Sequence, residues 1–143
     1  MKAKDHVAKI MTSENRKDAF LNTAEELMNQ TIANMRSASS DGSRIAAFRE
    51  KFQFWKAICE GVSKGMGDQA KSDFIALFPE MFFAISPDLY LICLNSNAML
   101  GYVPSAEIGK KMNAIVEERK QMERDRLISG AFLFQMMHKQ INA

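Results

Sequence analysis

Ile45, Phe48, Phe52, Trp55, Cys59 and Val62 recur at intervals of 3, 4, 3, 4 and 3. An α-helix brings such positions onto one face, because 3.6 residues complete a turn; a strand would send them to alternating sides. Arg44, Arg49, Glu50, Lys51 and Lys56 fall mostly on the other faces. The segment therefore reads as a half-buried helix, opened by an N-cap at Ser43 and ended by Gly61, Gly65 and Gly67. A second stripe, Phe20, Ala24, Leu27, Thr31 and Met35, predicts a helix from a cap at Ser13 to about Arg36, with Met28 and Ile32 widening the face. Residues 3–11 read as a short helix with Val7, Ile10 and Met11 together on one side.

Helical signals continue downstream. Asp68 can cap a helix holding Phe74, Leu77 and Phe78, which Pro79 either kinks or replaces by a new turn. Ser86-Pro87-Asp88 combines a capping hydroxyl, a proline at the first helical position and an acid facing the positive end of the dipole. The helix it opens, Leu89 to about Met99, is apolar nearly all round through Leu94, as a central helix would be, and Gly101 ends it. From Ala106 to Met137 there is no proline. A continuous helix there would be about 48 Å long, against a diameter of roughly 37 Å for a compact domain of this length. Eight of the ten residues from Glu117 to Arg126 are charged, so the block either crosses solvent as helix or hides a turn. The fold class predicted is all-α: a single-domain bundle of five or six helices over residues 1–143 with a long or broken C-terminal helix, and with 98–143 as candidate dimerisation region.

Composition excludes several function classes. With 47% apolar and 25% charged residues the chain is not globally disordered. Its 19 basic and 17 acidic side chains leave a formal charge of +2, too small for a whole-protein field that would draw nucleic acid. The N-terminal residues are charged and lack the continuous apolar region of a signal peptide. The least charged stretch, 74–106, is interrupted by Pro79, Pro87 and Pro104, and it lacks the roughly 20 consecutive apolar residues of a membrane span. Cys59 and Cys93 have neither disulfide-scaffold nor metal spacing, so buried reduced thiols and a cytoplasmic location are expected.

No catalytic, cofactor or metal site is predicted. His6 and His138 stand near opposite ends of the sequence, and nothing gathers carboxylates or thiols around either. Gly61, Gly65 and Gly67 beside Lys64 match no phosphate-loop spacing and follow no strand. Two features point instead to binding. The 11 Met and 10 Phe, including Phe82 and Phe83, suit an adaptable apolar surface for a helical partner. The final region places Leu127, Ala131 and Phe134 beside a charged block, more apolar surface than a lone helix can cover. These five residues are the candidate partner or dimer interface.

Residues 98–137 also resemble the ribbon-helix-helix DNA-binding fold in pattern. Ala98–Val103 would be the strand; Ile108, Met112, Ile115 and Val116 the core of the first helix; Leu127, Ile128, Ala131 and Phe132 that of the second. The charged block would hold the turn, with Lys120, Gln121 and Met122 where the family has a glycine. The resemblance implies an intertwined dimer. Its outward strand positions, Met99, Gly101 and Val103, lack the groups that form bidentate base contacts. The sequence thus predicts a non-enzymatic regulatory or adaptor protein, a homodimer with an unknown protein partner. The alternative is a dimeric DNA-binding regulator with Lys110, Lys111, Arg119, Lys120, Arg124 and Arg126 as phosphate contacts. Their acidic neighbours Glu107, Glu117, Glu118, Glu123 and Asp125 nearly cancel them.

Overall fold

The computed structural model describes residues 1–142, with side chains described for residues 1–130 and Gln135. Six helices follow one another: α1 (Ala3–Met11), α2 (Arg16–Arg36), α3 (Asp41–Val62), α4 (Asp68–Ile85), α5 (Pro87–Asn95) and α6 (Ala106–Asn142). No strand occurs among the described residues. The chain divides into two compact units, Met1–Val103 and Pro104–Ala143. The first holds α1–α5 around a hydrophobic core. The second contains the one helix α6, so the architecture is an all-α bundle followed by a long C-terminal helix.

The predicted stripes become the core. Phe48, Phe52, Trp55 and Cys59 are buried along α3, together with Ile58 on the same side. Phe20, Ala24, Leu27, Met28, Thr31 and Met35 are buried along α2. Thr31 can be buried because its hydroxyl donates to the Leu27 carbonyl at 2.7 Å, so no polar group is left unpaired. α3 packs against α1, α2, α4 and α5, which makes it the central element. The expectation that the segment after Pro87 is central is corrected: in α5 only Tyr90 and Cys93 are buried, and Leu89, Leu91, Ile92 and Leu94 are half-buried.

Aromatic side chains knit α2, α3 and α4 together. Phe20 lies 4.8 Å from Trp55 and 4.8 Å from Phe74 by ring centroids, Phe48 stacks on Phe82 at 4.6 Å, and Trp55 stacks on Phe78 at 5.9 Å. The Trp55 indole N–H donates to the Phe74 carbonyl at 3.1 Å, which lets the largest side chain of the core be fully buried. Pro79 neither ends α4 nor begins a new helix; it is buried inside α4. Its missing N–H removes the helical donor of the Ile75 carbonyl, but Phe78 and Phe82 on either side keep packing on α3.

Helix ends show where local chemistry differs from the sequence reading. α3 begins before Ser43: the Ser40 hydroxyl is the cap, accepting from the Ser43 N–H at 3.2 Å. At α2 the cap is Asn15, whose Oδ1 accepts from the Asp18 N–H at 3.1 Å. Ser13 instead accepts from the Asn15 N–H at 3.3 Å and shapes the preceding turn. Gly61 does not end α3 but lies within it, where a Cβ would meet Val7 Cγ2 at 2.6 Å. Glycine there is what lets α1 approach α3.

Residues 98–103, expected as a strand, are turn and loop. Asn97 and Gly101 take left-handed φ values of 57° and 89°. Two cations of α3 hold this turn by its carbonyls, Arg49 donating to Ser96 O at 3.2 Å and Lys56 to Leu100 O at 2.9 Å. It is further held by the buried hydroxyls of Tyr90 and Tyr102, 2.9 Å apart. With Tyr102 bonded to Tyr90 and two carbonyls held by α3, the segment is fixed to its own bundle as a turn. The charged block, expected as crossing helix or as turn, is helix throughout, so α6 is one helix of 37 residues and about 56 Å.

Candidate functional site

Of the predicted interface residues, two lie in the core of the first unit and one is exposed on α6. Phe82 and Phe83 are buried, which corrects their assignment to a binding surface. α4 packs on α3 with one side and on α5 with another, so both adjacent aromatics find internal partners: Phe48 for Phe82, and Tyr90, edge-on at 5.1 Å, for Phe83. Leu127 is 64% exposed, and beside it Ile128 is 67% exposed. The side chains of Ala131 and Phe134 lie outside the described residues.

α6 opens with the Ser105 hydroxyl accepting from the Ile108 N–H at 3.2 Å, and Glu107 sits in its first turn, as the dipole favours. All six candidate phosphate contacts are exposed. Lys111, Lys120 and Arg126 pair with acids along the helix. Lys111 Nζ lies 3.4 Å from Glu107, Lys120 Nζ 3.5 Å from Glu117, and Arg126 2.8 Å from Glu123. The i,i+3 and i,i+4 spacing makes these pairs local helix supports, and it lowers the field each cation offers outward. Val116, Met122, Leu127 and Ile128 are exposed among them.

The bundle carries a further surface that sequence reasoning missed. A groove of about 510 Å³ opens between the ends of α1 and α3 and the starts of α2 and α4. Ile10, Met11, Phe20, Val62, Met66 and Phe74 form its floor and walls. Arg16, Lys17 and Lys64, all exposed, line it as well, and no acid does. A second hollow of about 420 Å³ lies beside Ile32, Met35 and Leu89; there Arg44 is held by Asp41 at 2.8 Å. The only sequence signal for the first groove is two cations in the opening turn of α2, where the dipole disfavours them.

Groups with chemical reactivity are kept inert. Burial pushes the Cys59 thiol well above its ordinary range, with Glu60 adding to the shift, and it pushes Cys93 up to about 11 against an opposing pull from Arg49. Neither supplies a thiolate near neutral pH. Burial, then the charged N-terminus, lowers the His6 pKa, and its ring stands edge-on to Phe54 at 5.6 Å. Among the described residues no cluster of His, Cys, Asp and Glu is arranged to hold a metal ion, and no helix is long and apolar enough to cross a membrane. No family model matches the chain, nor does any curated protein or solved structure.

Proposed function

We propose that this is a non-enzymatic regulatory or adaptor protein of the cytoplasm that works through protein–protein contacts and self-associates along α6. One observation carries the reading: Leu127 and Ile128 are about two-thirds exposed, side by side, on a helix that has nothing within its own unit to cover them. A rod about 56 Å long and 10 Å wide presents roughly 560 Å² along one side. Two such faces remove about 1,100 Å², near the lower bound for a specific interface. The two free, buried thiols fit a reducing compartment.

Light scattering at micromolar concentration tests it. The mass should be twice 16.2 kDa, and Leu127→Asp with Ile128→Asp should return it to that of one chain. A monomeric parent chain defeats the proposal.

The DNA-binding reading is supported by the exposure of all six candidate phosphate contacts on α6. It is weakened because residues 105–126 carry six bases against five acids. Retention on duplex DNA that falls steeply between about 50 and 200 mM salt would put that reading first. Absence of retention at low salt removes it.

A further inference from the structure

We propose that the groove beneath Arg16, Lys17 and Lys64 binds a single-chain amphipathic anion, a long-chain carboxylate, with its tail on the apolar floor and its head group among the three cations. Apart from the three cations, every side chain lining the groove is apolar. Two of these, Met11 and Met66, are unbranched and adjust to a flexible tail, and Met66 is left exposed at the edge. Among the described residues Arg16, Lys17 and Lys64 are in no ion pair, in contrast to Arg44 beside the second hollow. Asp18, next in the chain to Lys17, is turned to the Asn15 side-chain amide at 2.8 Å.

The placement of the cations is locally unfavourable, which is informative. Arg16 and Lys17 are the first two residues of α2, where the positive end of the helix dipole repels them. A bound carboxylate offsets both terms at once. Departures from local preference of this kind are expected where a sequence serves a site.

Size separates the classes of occupant. About 510 Å³ lies within the range of small-molecule sites, roughly 300–1,000 Å³. A specific protein interface buries on the order of 1,200 Å² or more, so a docked helix would need surface well beyond the nine residues that line the hollow. The geometry therefore favours a tailed small molecule over a docked helix. This inference is independent of α6, because every lining residue lies in the first unit.

The test is isothermal titration of the full chain with dodecanoate below its micellar concentration. Dodecyl maltoside and dodecyltrimethylammonium serve as neutral and cationic controls. Saturable binding of one dodecanoate per chain is expected, at least about tenfold tighter than either control. The triple variant Arg16→Gln, Lys17→Gln, Lys64→Gln should bind dodecanoate about tenfold more weakly, since each exposed charge contributes a modest share. These side chains are exposed and two of them oppose the helix dipole, so the variant should melt no lower than the parent, which rules out a folding defect. Equal affinity for the cationic amphiphile, an unaltered triple variant or no saturable dodecanoate binding would each overturn the proposal. So would sedimentation with anionic phospholipid vesicles when free dodecanoate fails to bind, because the cations would then serve a membrane surface.

Discussion

Replacing Tyr102 by Phe removes one oxygen and strands another. The Tyr90 and Tyr102 hydroxyls lie 2.9 Å apart, with Tyr90 0% and Tyr102 7% exposed. In Tyr102→Phe the sealed Tyr90 hydroxyl loses its partner, a penalty of about 1–3 kcal/mol for a buried polar group, and we expect about 2. Tyr90→Phe strands the Tyr102 hydroxyl instead. That group sits nearer solvent and can turn to water, so the loss should be about 1 kcal/mol. The double variant leaves no unpaired oxygen and should be no less stable than Tyr102→Phe alone. The cycle therefore gives a coupling of about 1 kcal/mol or more. Urea unfolding followed by Trp55 fluorescence reads this directly, because the chain has one Trp and it lies in the core. With an m-value of about 2 kcal/mol/M, the Tyr102→Phe midpoint should fall by about 1 M at unchanged slope. If the double variant sits at the sum of the singles, or Tyr90→Phe proves the more damaging, the hydroxyls do not share a buried bond and the reasoning is wrong.

Three further outcomes follow from the same structure. Burial raises the pKa of both Tyr90 and Tyr102 above the ordinary value of about 10, so the folded chain holds protons that the unfolded chain releases. Stability is present below about pH 10 and lost as pH rises beyond it; absorbance near 295 nm should show both phenols ionising together with unfolding, and free titration at about pH 10 in the folded chain would contradict their burial. Burial lowers the His6 pKa below about 6.5, so its contribution is present above that pH and lost as pH falls beneath it; urea midpoints of His6→Gln across pH 5–8 should decline less toward acid than those of the parent. Gly61→Ala gains about 1 kcal/mol of helix propensity yet drives a Cβ to 2.6 Å from the stiff Val7 side chain, so a net loss of about 1–2 kcal/mol is expected; thermal melts should show much of it recovered when Val7→Ala is added, and an equally damaged double variant would refute the close approach.

What the sequence disclosed followed from which forces act locally. The Phe20–Met35 and Ile45–Val62 stripes were legible because one-sided burial imposes a 3.6-residue period on any helix. Caps were less so: Ser40 and Ser43 stand three residues apart and Ser13 and Asn15 two, and several side chains near a helix start can accept the same N–H. Phe82 and Phe83 read as surface from the Met and Phe excess, whereas the packing of α4 on both α3 and α5 gives each a buried partner. Pro79 reads as either a kink or a new turn, although Phe74, Phe78 and Phe82 continue at intervals of four straight across it. The groove was invisible for a different reason. Residues 10–20 and 62–74 meet only in the folded bundle, and no periodicity within either segment encodes their meeting.

α6 is where local and tertiary forces part. Its ion pairs at Lys111, Lys120 and Arg126 each contribute about 0.2–0.5 kcal/mol, near 1 kcal/mol together. Gly109 and Gly130, within the same helix, each withdraw about 1 kcal/mol relative to alanine. These three pairs by themselves do not offset the two glycines. In proteins most helical stability comes from covering an apolar face. Within Pro104–Ala143 that face has no second element to meet, and Leu127 and Ile128 stand open to water. A second copy laid along α6, as proposed, would cover Leu127 and Ile128 of both chains with one contact. The exposed aliphatics that leave a lone helix without support would then be the ones that hold the pair together.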